Sequence, residues 1–105
     1  MKPEFENIPL QKNETFKRFE ITVDGHLAFI NYGEFDRQIA LVHTQAAPEL
    51  KGTGAATAVV EKTLTFIKEN GKLLLPYCPY VFAYIKKHPQ WKSIVDPAFV
   101  GYANL

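Results

Sequence analysis

The stretch QIALVHTQAAPELKGTGAATAVVEKTLTFIKENGKLLLPYC, Gln38 to Cys78, decides the fold. Its first part, QIALVHTQ, is almost continuously apolar as far as Val42, the pattern of a strand covered on both faces, and reads as central in a sheet. From Gly52 to Asn70 the residues Ala56, Val59, Val60, Leu64 and Ile67 recur at helical spacing, and Gly71 supplies the left-handed conformation that ends many helices. KLLLPYC, Lys72 to Cys78, is short and apolar like a second buried strand. A helix crossing between two strands of one sheet makes those strands parallel.

Upstream, Phe19, Ile21 and Val23 alternate with Arg18, Glu20 and Thr22, so Thr15 to Val23 reads as a half-buried strand. Asp24-Gly25 signals a hairpin turn, and HLAFINYGE continues as a strand with Leu27 and Phe29 on one face and Ala28, Ile30 and Tyr32 on the other. Residues 1–14 show no such period and read as an irregular arm. Downstream, a second helix runs from Pro79 or Tyr80 to Lys87, where His88-Pro89 stops it because the residue before proline is disfavoured in helical geometry. Trp91, Ile94, Val95 and Phe99 mark the tail as a docked segment with short helical turns, and Phe19, Phe29 and Trp91 are assigned to the core. The whole is an α/β (α+β) chain, read as one domain over 1–105: a mixed, mostly antiparallel sheet with two main helices.

At 105 residues, 47% hydrophobic and 22% charged, the chain has an ordinary globular composition and enough length for a real core. A net charge of +1 with thinly spread Lys and Arg leaves no electrostatic footprint for nucleic acid or an anionic membrane. No apolar run approaches a membrane span, and MKPEFENIPL lacks the apolar core of a signal peptide. The lone Cys78 has no internal disulfide partner, so a reducing, cytoplasmic setting is expected.

The glycine loop is open to two interpretations. KGTGAAT has no lysine after its second glycine, so it is not a nucleotide-triphosphate loop. Seven residues separate Thr44 from Gly52, Thr57 stands where a third glycine belongs, and the next strand ends on Leu75-Pro76-Tyr77 without an acid, so the dinucleotide fingerprint fails too. What remains is general: Lys51, Gly52, Thr53, Gly54 and Ala55 place consecutive amides at the positive end of a helix, where an anion is attracted. Lys51 and Thr53 add a charge and a hydroxyl. The alternative is a glycine-rich cap that holds no ligand, and spacing alone leaves both open.

Together LVHT, PELKGTGAATAVVEKTLTFIKENGK and LLLPYCPYVFAYIKKHPQW resemble the small stand-alone members of the GNAT acetyltransferase superfamily, the YjdJ-type N-acetyltransferase-like group. The resemblance covers about Phe19 to Trp91. Gly52 and Gly54 match the superfamily's acetyl-CoA loop, while Glu49 stands where Gln or Arg is usual. The resemblance implies a GNAT-like sheet with a V-shaped splay between its two parallel strands beyond His43. It implies that the amides from Lys51 to Ala55 hold the pyrophosphate of acetyl-CoA, with the pantetheine along Thr44, Gln45 and Ala46. A backbone amide near Gln45 or Ala46 would then donate to the thioester oxygen. No metal is implied. The pair of helices that larger members insert between the first two strands is replaced by the Asp24-Gly25 hairpin. The acceptor face is therefore open, which suits a peptide or protein amine, in a monomer or weak homodimer.

Acetyl transfer to an amine needs a deprotonated nucleophile, a stabilised oxyanion and a proton for the departing thiolate. His43 is a candidate base, or a hydrogen-bonded residue that organises the strand end. Cys78 is a candidate thiolate protonator or acyl-accepting nucleophile, or a buried inert thiol. Tyr80 and Tyr84, four residues apart on one helix face, match the tyrosine that larger members use to protonate the thiolate, with core packing as the rival role for at least one. His26 and His88 are assigned to turn and helix-end positions without chemistry. The function expected is acetyl-CoA-dependent N-acetyl transfer. The rivals are a coenzyme A or acyl-CoA binding module with little or no catalysis and a protein-interaction domain without a ligand.

Overall fold

A computed structural model describes all residues from Met1 to Leu105. Five strands form one sheet in chain order: β1 (Gln11–Asn13), β2 (Arg18–Val23), β3 (His26–Glu34), β4 (Gln38–Ala46) and β5 (Leu73–Pro76). The first four pair antiparallel, and β4 with β5 is parallel, joined by α1 (Ala55–Glu69). A second helix, α2 (Pro79–Lys87), follows β5. The mixed sheet with its one parallel pair and helices packed against it is GNAT-like, as the sequence implies.

Local chemistry explains the turns. Asp24 and Gly25 both take positive φ, 51° and 80°, the left-handed pair that matches the twist of a two-residue hairpin. Gly71 at φ 66° lets Lys72 N–H reach Ile67 O and Gly71 N–H reach Lys68 O, a pair of hydrogen bonds that closes the C-terminus of α1.

Both helices lie on one face of the sheet. Phe19 stacks between Tyr32 and Phe66 of α1, with ring centroids 4.7 and 5.1 Å apart. Tyr84 of α2 donates to Glu61 of α1 at 3.2 Å, and the hydroxyls of Tyr80 and Thr57 bond at 2.9 Å, so the helices run side by side. One continuous cluster of buried residues extends from Phe5 to Phe99 and includes Ile21, Ile30, Leu41, Val59, Leu64 and Leu74. The tail docks as expected: Val95 bridges Leu74, and Gln38 donates to Asp96 at 2.6 Å.

Four expectations need correction. The arm is not irregular throughout: Pro3–Phe5 makes a short helical turn that buries Phe5, and β1 pairs with β2. The strand after it begins at Arg18 rather than Thr15, because Asn13 Oδ1 accepts from Phe16 N–H and Lys17 takes φ 52°, which uses Thr15 to Lys17 as turn. Helix α1 starts at Ala55 rather than Gly52, since Gly52 and Gly54 hold φ 78° and 91°. Phe29 lies on the face away from the helices, half-buried under the Arg18 guanidinium at 4.6 Å, and is not part of the core.

Strand β4 is interior, but its two-faced burial ends at Leu41; Val42 is 53% exposed. Tyr32 pairs with Leu41 and Asn31 with His43, so Val42 is the extra residue of a bulge. A bulge lets two consecutive residues oppose one and re-aims the side chains after it. Ala40, Val42, His43 and Gln45 consequently share the open face, while Thr44 and Ala46 share the helix face with Ile30 and Ala28.

Candidate active site

The site forms where β4 and β5 part. Their pairing runs from Gln38–Leu73 to Leu41–Pro76 and then stops, with one further bond from Cys78 N–H to Leu41 O at 2.8 Å. Beyond it, β4 continues to Ala46 with no strand on that side. Ala47 N–H donates to Leu27 O of β3, so the alternation of the strand points the amides and carbonyls of Thr44 and Ala46 toward the bare edge.

At the same end of the sheet lies the start of α1. Of the amides expected to hold an anion, those of Lys51, Thr53 and Ala55 are engaged, by Pro48 O, Leu50 O and Thr53 Oγ1 respectively. The Thr53 hydroxyl is engaged as well, donating to Leu50 O at 2.6 Å. The amides of Gly52, Gly54, Ala56 and Thr57 have no partner in the chain. Loop and first turn thus present free donors at Gly52, at Gly54 and at the adjacent pair Ala56 and Thr57, interrupted at Thr53 and Ala55, rather than the consecutive run read from sequence. The N-cap residue is Gly54, which has no side chain to satisfy the amides that follow it. A Cβ on Gly52 would meet nothing within 4 Å, so its glycine serves the positive φ and leaves the space above the amides clear. The Lys51 ammonium makes no ion pair or hydrogen bond within the chain. Lys2, which sequence reasoning missed, reaches across from the arm: its Nζ donates to Thr53 O at 2.9 Å and lies 3.6 Å from where a Cβ on Gly54 would sit.

The side chains assigned to chemistry divide into separate groups. Cys78, 2% exposed, meets Thr44, with Sγ and Oγ1 3.3 Å apart. His43 projects from the open face, exposed, with Nε2 3.2 Å from Gln45 Oε1. No hydrogen bond joins His43 to Cys78; the bulge sends His43 to one face and leaves Thr44 facing the thiol. Tyr80 is bonded to Thr57 at the first turn of α1, on the side of the free amides. Tyr84 is a step further along, where burial and the neighbouring Glu61 carboxylate push its phenol up to about 12, so it stays a donor.

A family profile described as GCN5-related N-acetyl-transferase matches residues 18–94, most of the chain. The protein belongs to that family. The matched span begins at β2, takes in the splay, the glycine loop and both helices, and ends with the buried Ile94. No curated protein gives a significant match to the sequence. Within the matched span lie both the parallel pair left unzipped at one end and the helix start rich in unpaired donors. No three His, Cys, Asp or Glu side chains converge as a metal site, and no helix is long and apolar enough to cross a membrane.

Proposed function

We propose that this protein is an acetyl-CoA-dependent N-acetyltransferase of the small, YjdJ-like kind, acting on a primary amine. The observation that carries the reading is the set of four unpartnered amides, Gly52, Gly54, Ala56 and Thr57, at the start of α1 beside the splay. Backbone donors at a helix N-terminus favour a phosphate, and Lys51 and Lys2 stand where they add positive charge. The bare edge at Thr44 and Ala46 suits an amide-bearing chain that pairs as a strand would, with Gln45 between them. Ala46 N–H is the donor assigned to the thioester oxygen.

In this reading His43 donates through Nε2 to Gln45 Oε1, which leaves Nδ1 as the basic nitrogen to take a proton from the acceptor amine. The co-substrate supplies an activated acyl carbon: the amine lone pair forms the C–N bond there, the C–S bond breaks, and the leaving thiolate needs one proton. Cys78 gives that proton and regains one from solvent relayed by the Thr44 hydroxyl, while His43 releases the proton it took to solvent. Tyr80, tied to Thr57 near the free amides, serves binding rather than proton delivery. The single thiol suits a reducing, cytoplasmic setting.

Calorimetric titration with acetyl-CoA tests the cradle. Gly54→Asn keeps tolerance for positive φ without charge, whereas Gly54→Asp adds a carboxylate; equal affinity in the two variants would refute the phosphate assignment. Acetyl transfer in His43→Ala and Cys78→Ala tests the two roles, since unchanged rates in both would remove them, whereas no transfer by the native chain to any amine would leave only binding. Intact mass after incubation with acetyl-CoA alone checks for an acetyl group retained on Cys78; direct transfer gives none.

A further inference from the structure

The face of the sheet opposite the helices carries a cavity of about 540 Å³ whose walls include Phe35, Gln38, Ala40, Val42, Leu75 and Tyr77. Three of the eight exposed large hydrophobic residues, Phe35, Val42 and Tyr77, border this one cavity, so the exposed apolar surface is concentrated rather than scattered. No carboxylate or ammonium lines it. Its one amide, Gln38, is turned to Asp96, and the nearest acid along β3, Glu34, is held by Lys12 at 2.7 Å. Val42 and Tyr77 are also the first residues past Leu41 and Pro76, the last pair of β4 and β5, so the cavity opens directly into the splay. Through the bulge, Val42 and His43 face the same side.

We propose that this cavity holds the body of the acceptor, and that the acceptor is therefore a primary amine carried on an aliphatic or aromatic group; this rests on the N-acetyltransferase reading above. An occupant of the cavity has its end at the splay, within reach of the His43 side of β4. A polyamine or lysine-rich segment would press uncompensated charge against an apolar wall, which is costly. The volume lies within the range of small-molecule sites, and such sites are mostly apolar with a few polar groups at one end.

The test is acetyl transfer by the full chain, followed as coenzyme A thiol release, with 2-phenylethylamine, isoamylamine, ethanolamine and spermidine as acceptors. Two peptides differing only in an N-terminal phenylalanine or serine form the second arm, which tells a free amine from a peptide terminus. The expected result is a kcat/KM at least about tenfold higher for the apolar member of each acceptor set that is turned over. Phe35→Ser brings that ratio toward one while calorimetric acetyl-CoA affinity stays the same. Transfer with no apolar preference, or a preference for spermidine, overturns the inference alone. Transfer to no amine at all overturns the parent reading and this inference with it. A dimer in sedimentation that Phe35→Ser dissolves would make the cavity an interface between copies and also overturn it.

Discussion

The two halves of β4 are one continuous strand with opposite assignments. Gln38 to Leu41 is bonded on both edges, to β3 and β5, and Ile39, Ala40 and Leu41 are buried. Val42 to Ala46 keeps only β3 as a neighbour, and its side chains are exposed or half-buried. The difference arises within one residue step, from a bulge at Val42 and the departure of β5 at Pro76. It teaches that the first half supplies the rigidity against which the second can hold an unpaired edge in place.

The contrast is broken most severely from the first half. Leu41→Ala removes a fully buried side chain and is expected to cost about 2–5 kcal/mol in urea unfolding, whereas Val42→Ala, in an exposed position, is expected to cost well under about 1 kcal/mol. Equal losses would mean that the bulge does not separate a core half from a site half. The site half is sharpened by the glycine cradle: Gly54→Asp should weaken acetyl-CoA more than about tenfold relative to Gly54→Asn by calorimetry, a difference of about 1.4 kcal/mol. Lys2→Ala should weaken it less, by about twofold to fivefold, because an exposed charge is screened by solvent and salt. The smallest effect lies between the helices. Tyr84 has its phenol raised by burial and Glu61, so the neutral form stabilises the fold below the ordinary tyrosine pKa of about 10, and that contribution is lost as pH rises to about 12. Chemical denaturation across this window should fall off more steeply for the native chain than for Tyr84→Phe; parallel curves would disprove the coupling.

The elements that position the site are legible because each rests on local chemistry. The stripe through Val59, Val60, Leu64 and Ile67, the Asp24-Gly25 turn and the stop at His88-Pro89 all appear where their residues demand. The bulge is not legible, since Val42 only prolongs an apolar run and no glycine or proline marks it. Nor is β1, whose Gln-Lys-Asn is polar and three residues long, and which forms because β2 offers it a bonded edge. The glycine loop could be located but its donors could not be chosen, because that depends on carbonyls at Pro48 and Leu50 folding back onto alternate amides. Lys2 meets Thr53 across 51 positions, a distance at which residue spacing has no predictive content. Cys78 and Thr44 lie 34 apart and come together only once the parallel pairing is known.

The bond from Cys78 N–H to Leu41 O is the last rung before β4 and β5 separate. An amide at the fork of a zipper exchanges its proton with solvent only when that fork moves one step, so its exchange rate is a clock for fluctuations of the cleft. A guest lying along the bare edge of β4 holds the fork still, and the slowing of this one amide would report its arrival without any chemistry taking place.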